Sequence, residues 1–323
     1  MNGGRWLLPL LTLLAPLALL AGLLAGSSLS LEQAWQGLLG HDALAQSIVI
    51  ELRLPRVLAA FACGALLALA GVLMQALLRN PLADPYVLGV SGGAAVAALL
   101  ALLFGLGGVW IGGSAFVGAL LSMFLVFGLA GGGHTPLRLL LTGVVVASGW
   151  GAVVAFILST TPQQGLHGML FWLMGDLSQA MSPWPALLVL LLGLTAAWTL
   201  ARPLNVLVRG ELLAGALGLA VGRLRLILYL LASLLAASAV TLAGTVGFVG
   251  LVVPHLVRLL GGSDHRRVVP AAALLGGILL VLADLLARTL IAPRQLPVGV
   301  LTALLGVPLF LWLLRRSNAG YLR

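Results

Sequence analysis

Asp284 and Arg288 stand four residues apart inside the apolar segment ADLLARTL (283–290). Residues at i and i+4 share a helix face, so a carboxylate and a guanidinium at this spacing can pair and neutralise each other in apolar surroundings. A carboxylate inside a membrane span is also the group that a proton-coupled carrier would titrate. The other acids, Glu32, Asp42, Glu51, Asp84, Asp176, Glu211 and Asp264, all fall between apolar segments. This pattern favours a structural ion pair at Asp284 and leaves an ion- or proton-coupled carrier as the alternative reading.

Other chemistry is excluded by residue type. The seventeen basic residues are all arginine, so the lysine of a G-x-x-x-x-G-K-[ST] phosphate loop is missing and the chain is not expected to hydrolyse ATP. His41, His134, His167, His255 and His265 form no H-E-x-x-H pair, and neither a zinc centre nor a paired-acid hydrolase site is expected. His255, in VVPHLVRLL one turn before Arg258, reads as a hydrogen-bonded packing residue. Cys63, the single cysteine, reads the same way and permits no intramolecular disulfide. Trp172 and Trp184 read as interface anchors.

The elements that carry these residues are set by composition. Apolar residues make up 61% of the 323 positions, above the range of soluble domains, and the expected fold is an all-α polytopic membrane protein, one domain over 1–323. Runs long enough to span, or nearly so, lie near 6–26, 55–78, 86–107, 109–130, 137–160, 184–201, 226–243, 246–261, 268–287 and 297–314, about ten in number. The first is read as a retained helix, because no small-residue cleavage site stands out after it. With the N-terminus inside, thirteen arginines fall on the inner side, and four (Arg53, Arg56, Arg288 and Arg294) on the outer. That bias places both termini in the cytoplasm. Scattered arginines of this kind are inside-positive loops, and no nucleic-acid partner is expected.

Gly244, Gly247 and Gly250 recur every three residues, and Ser91, Gly92 and Gly93 are adjacent, so helices can approach closely there. RNPLADPYVLGVSGG (79–93) carries Pro81 and Pro85 and must turn on the inner side. PQQGLHGMLFWLMGDLSQAMSPWP (162–185) is too polar to span and reads as a short periplasmic helix at the interface or leaning into a cavity. In RGELLAGALGLAVGRLR (209–225), Leu212, Leu213, Ala216, Leu217 and Ala220 recur at helical spacing between Arg209, Glu211, Arg223 and Arg225. Two short helices broken at Gly218 or Gly222 are expected. They would either rest on the inner leaflet or dock a soluble partner that supplies the energy this chain lacks.

LRLPRVLAAFACGALLALAGVLMQALLRNPLADPYVLGVSGGA (52–94), GELLAGALGLAVG (210–222), GTVGFVGLVVPHLVRLLGGSDHR (244–266) and ADLLARTLIAPRQLPVGVLTALLGVPLFLWLL (283–314) resemble the permease subunits of ABC importers for iron–siderophore complexes, haem and vitamin B12. The resemblance implies a type II ABC importer permease that moves an iron chelate or cobalamin from periplasm to cytoplasm across a bacterial inner membrane. It implies a homodimer or pseudo-symmetric heterodimer around a central path lined by the fifth and tenth spans, where Thr142, Ser148 and Thr302 lie. It implies that Arg209, Glu211, Leu212, Leu213, Ala216, Leu217, Gly218 and Arg223 belong to coupling helices seated on a cytoplasmic ATP-binding subunit. ATP and magnesium would be held by that subunit, with no cofactor or metal on this chain. Arg53, Arg56, Arg288 and Arg294 would meet glutamates of a periplasmic substrate-binding protein. The inner gate would lie at Asn80, Pro81 and Leu82 with His134, Thr135 and Pro136. The cargo, among siderophore, haem and cobalamin, stays open.

Overall fold

The computed structural model describes residues 6–26, 28–131, 136–178 and 182–321, and these are folded as helices joined by short turns. In chain order the helices are α1 (Leu7–Leu24), α2 (Leu31–Leu38), α3 (Ala43–Ser47), α4 (Leu54–Leu78), α5 (Val90–Leu103), α6 (Gly108–Leu129), α7 (Pro136–Thr160), α8 (Gln163–Leu173), α9 (Trp184–Thr199), α10 (Ala201–Leu207), α11 (Glu211–Ala216), α12 (Val221–Ala243), α13 (Val249–Gly261), α14 (His265–Thr289) and α15 (Val298–Tyr321). Each of the ten apolar runs read from the sequence contains a helix. Among the described residues six helices have the length and hydropathy to cross a membrane, and α9 with α10, bent by 56° at their junction, meets the same criterion as a pair. Three more apolar helices, at 90–103, 249–261 and 298–313, are shorter.

The bend has a local cause. Pro203 has no N–H to give the carbonyl of Thr199, so the α9 ladder stops there and α10 starts at a new angle. A second irregularity precedes α4, where Ile48–Arg53 forms a π-helical segment and Leu54 N–H reaches back to the Val49 carbonyl. Pro55, unable to donate, occupies the first turn of α4, where no donor is needed. The helices between 31 and 53 were not anticipated, since their apolar positions are too few to give a spanning signal. Ser30 and Gln33 form a capping box at the start of α2, and Asp42 caps α3 through the N–H groups of Leu44 and Ala45.

α4 is the axis of the bundle, with 89% of its most apolar window buried inside the protein. It packs against α12, α13 and α14. The approach is closest at glycines: a Cβ on Gly64 would lie 2.1 Å from the Gly276 carbonyl oxygen, and one on Gly71 would lie 1.9 Å from that of Gly250. Backbones this close allow dispersion contact along the whole helix pair, which replaces the hydrophobic drive that lipid cannot supply. Gly250 thus has the packing role expected of it, and Gly93 packs against Gly118 of α6 in the same manner. Cys63 is buried with its thiol near the Ala239 carbonyl at 3.6 Å, as a packing residue.

This axis separates the charges into two groups. Arg53 and Arg56 lie at the start of α4 beside Arg288 near the end of α14, while Arg79 follows the end of α4 near Asp264 and His265 at the start of α14.

Candidate functional site

At the first end, Asp284 is buried and takes two arginines. Arg56 reaches it from α4 through Nη2 at 2.8 Å and Nε at 3.1 Å, and Arg288 from its own helix through Nε at 3.0 Å. The i,i+4 pair expected from spacing is present, and the second, tighter partner lies 228 positions away. Arg56 also donates to Gln295 Oε1 at 2.7 Å. Arg53 Nη1 donates to the carbonyls of Leu23 and Leu24 at 2.9 and 3.0 Å, and Arg288 Nη2 to that of Gly22 at 3.1 Å. α1 has no basic residue in its own last turn. Its orphan carbonyls and the negative end of its dipole are therefore capped by guanidiniums from α4 and α14.

This corrects the picture of four outward arginines. Arg53 and Arg288 are 5% and 7% exposed, because their donors saturate internal carbonyls. Arg56 is held against Asp284, and Arg294 alone of the four is exposed.

At the other end, a cavity of about 440 Å³ is lined by Gln75, Arg79, Asn205, Arg209, Arg258 and Asp264, among others. Gln75 is the one amide in α4. Its Nε2 donates to the Leu251 carbonyl at 3.2 Å, and its Oε1 accepts from Arg258. Asn205 donates to Asp264 Oδ1 at 2.7 Å, and its own oxygen accepts from the His265 N–H at 2.9 Å. The Asn205 hydrogen bond, with the Arg266 N–H second, holds the Asp264 carboxyl below its ordinary range. Sequence reasoning missed Gln75 and Asn205. A lone amide in an apolar helix was the available signal for the first, and its partners lie too far along the chain to be read.

The 209–225 stretch projects beside this cavity. α11 is one short helix entered through Gly210 at φ 126° and left through Gly218 at φ 81°. Of the two breaks considered, Gly218 is the one used. The expected second short helix is absent: residues from Val221 onward are the first turns of α12, which no breaker interrupts, so Arg223 and Arg225 ride on a long span. Leu212, Leu213 and Leu217 are 93%, 45% and 63% exposed, and Ala216 is exposed beside them. Arg209 is exposed, as is Arg223. Glu211 differs: its carboxylate takes Arg79 Nη2 at 2.7 Å and also pairs with Arg225.

Arg79 ends α4 in the left-handed region at φ 48° and leads into the proline turn. Asn80 Oδ1 accepts from Leu82 N–H at 2.9 Å, Pro81 and Leu82 are exposed, and Pro81 lines the cavity. Asp84 Oδ1 accepts from the Tyr86 N–H at 2.8 Å, yet burial pushes its carboxyl up to about 6. Thr135, named with this turn as a gate, lies outside the described residues, as does His134.

Other expected positions are placed as follows. α8 is the short helix anticipated within 162–185, and His167, Phe171 and Trp172 line a cavity of about 510 Å³ with Asp176 and Thr241. Trp172 thus faces a cavity, whereas Trp184 is exposed. His255 packs edge-on against Phe310 at 6.3 Å. Ser148 on α7 is exposed, Thr142 half-buried, and Thr302 on α15 buried with its hydroxyl on the Gly299 carbonyl. Among the described residues no cluster of His, Cys, Asp and Glu could hold a metal.

Residues 11–316 match the model of the FecCD transport family. The hemin transport system permease protein HmuU of Yersinia pestis is 43% identical, with 96% of this chain and 95% of that protein aligned. The vitamin B12 import system permease protein BtuC of Citrobacter koseri is 38% identical, over 97% and 95%. A solved inward-facing chain of the metal-chelate ABC transporter type superposes with a TM-score of 0.86 at 34% identity, covering 96% of this chain and 98% of that one. A bundle around α4, charges divided between its two ends, and a match along nearly the whole sequence lead to one assignment: this chain is a multi-pass membrane protein of the FecCD transport family, a transport component and not an ATPase.

Proposed function

We propose that the chain is the membrane permease of an ATP-driven importer that carries an iron chelate, such as a siderophore complex or haem, or cobalamin, from periplasm to cytoplasm. The observation that carries this reading is the apolar knob of α11. Leu212, Leu213 and Leu217 are exposed together at the arginine-rich end of the bundle. Burying a leucine on a partner is worth about 1.5–3 kcal/mol, and a knob of three fits a cytoplasmic ATP-binding subunit, which would hold ATP and magnesium. Relatives named for hemin and for vitamin B12 transport support the cargo class without choosing within it.

In this reading both termini and α11 face the cytoplasm. A periplasmic substrate-binding protein meets the opposite end through Arg294 and the exposed edge of Arg56, while Arg53 and Arg288 keep that surface in shape. A second permease copy covers α7, of which only 11% of the most apolar window is buried. The turn at Asn80, Pro81 and Leu82 belongs to the inner gate, to which the family resemblance also assigns Thr135.

Co-expression with a neighbouring ATP-binding subunit, followed by native mass spectrometry, tests the assignment. A complex of two permeases and two ATPases is expected, with affinity reduced by about tenfold or more for each of Leu212→Asp and Leu217→Asp. Wild-type chain that binds no ATPase, yet takes up cargo along an ion gradient, would instead support the carrier reading. Arg294→Glu is expected to weaken docking of the binding protein in a salt-dependent manner, measured by surface plasmon resonance on nanodiscs.

A further inference from the structure

Glu211 ties α11 to two other parts of the chain. It is the first residue of α11, and its carboxylate holds Arg225 on α12 and Arg79, the last residue before the Asn80–Pro81–Leu82 turn. The two halves of this junction differ. Arg225 is 13% exposed, so its pair with Glu211 is sheltered, whereas Arg79 is 39% exposed and its pair stands in water. A sheltered ion pair resists opening, and an exposed one is readily made and broken. α11 is also bounded by Gly210 and Gly218, both at positive φ with open space around them, so it can pivot as a unit on its two ends.

Resting on the ABC-permease reading above, we propose that Glu211 is a positioning residue that ties the ATPase-facing helix to the inner gate, with Arg225 as its fixed anchor and Arg79 as its releasable one. When the partner moves α11, the carboxylate moves with it. Arg79 either follows, drawing the end of α4 and the proline turn, or is released, and the gate turn then relaxes. Arg79 is suited to this because its left-handed backbone at φ 48° is a conformation that non-glycine residues hold only when the surroundings impose it. Loss of an imposed contact gives that residue a reason to change conformation.

The test uses the full permease–ATPase complex in nanodiscs, in a Cys63→Ala background carrying a nitroxide at Leu82→Cys. Its electron paramagnetic resonance spectrum is compared without nucleotide and with ATP and vanadate, alongside ATP hydrolysis and complex yield. In the otherwise unaltered complex a nucleotide-dependent change at position 82 is expected. Glu211→Gln and Arg79→Gln should each shift the nucleotide-dependent gate equilibrium by about fivefold, the upper end for an exposed ion pair. Complex yield and hydrolysis should stay intact in Arg79→Gln, which lies off the docking helix, and the double variant should be no worse at the gate than either single one.

Multiplying effects in the double variant, a spectrum that responds normally in Glu211→Gln, or no response in the unaltered complex would each overturn the proposal. Failure of the unaltered chain to assemble with an ATPase at all would instead overturn the permease reading on which it rests. A residue that only stabilised the fold would lower complex yield and hydrolysis together, and would not separate them from the gate signal.

Discussion

Replacing Asp284 by alanine removes the shared acceptor of Arg56 and Arg288. The carboxylate is 1% exposed and receives Nη2 and Nε of Arg56 and Nε of Arg288, all within 3.2 Å. Breaking a buried pair from one side costs about 3–5 kcal/mol, because the surviving charge stays desolvated. The two survivors differ here. Arg56, at 13% exposure, keeps Gln295 and can turn toward water, so most of the penalty falls on Arg288, at 8%. The lower end of the range, about 3 kcal/mol, is therefore expected.

Asp284→Ala with Arg288→Met removes the stranded charge and is expected to recover more than half of the loss, although it also leaves Gly22 without its donor. Tryptophan fluorescence during denaturation in detergent measures these differences. An Asp284→Ala chain as stable as the wild type, or a double variant less stable than the single one, would refute the reasoning. Asp284→Asn tests the competing function as well: an amide cannot carry a proton cycle, so ATP-dependent uptake is expected to persist. Uptake that needs no ATP in the wild type and is lost in a folded Asp284→Asn chain would favour the gradient-driven carrier.

Gly71→Ala places a methyl group 1.9 Å from the Gly250 carbonyl oxygen, so α4 and α13 must separate. A loss of about 3 kcal/mol or more is expected by the same denaturation assay, while Gly149→Ala, with open space around its Cβ position, is expected to be neutral. Asp84 has its carboxyl raised to about 6 by burial, so ionisation disfavours the folded state. The penalty is absent below about pH 4, grows as pH rises to about 6 and is constant above, near 3 kcal/mol for a shift of about two units. Asp84→Asn, which retains the acceptor for Tyr86 N–H, is therefore expected to stabilise the chain at pH 8 and to make no difference at pH 4. A stabilisation independent of pH, in a thermal unfolding series, would contradict the burial argument.

Much of the fold was legible because a membrane span is encoded locally. About twenty apolar residues suffice to define one, and such a run is recognised without knowledge of any contact. Short helices were legible only where they carried a dense apolar face, as in α8 and α11. α2 and α3 were missed because their stability comes from caps at Ser30 and Asp42 and from packing against α1 and the π-helical segment. Spacing was enough to pair Asp284 with Arg288, since four residues are one helical turn.

Function divides along the same line. The sequence by itself determined an apolar, helical membrane chain, because composition and hydropathy are properties of the linear order, and dependence on an ATPase entered only through the family that the chain resembles. Tertiary structure decided which arginines remain available. Arg53 and Arg288 look identical to Arg294 in the sequence, but the first two cap the end of α1 and the third is exposed. It also decided that Glu211 meets Arg79 across 132 positions. A guanidinium's role depends on which acceptor the fold brings within about 3 Å, and that distance is a property of the packed bundle rather than of the chain.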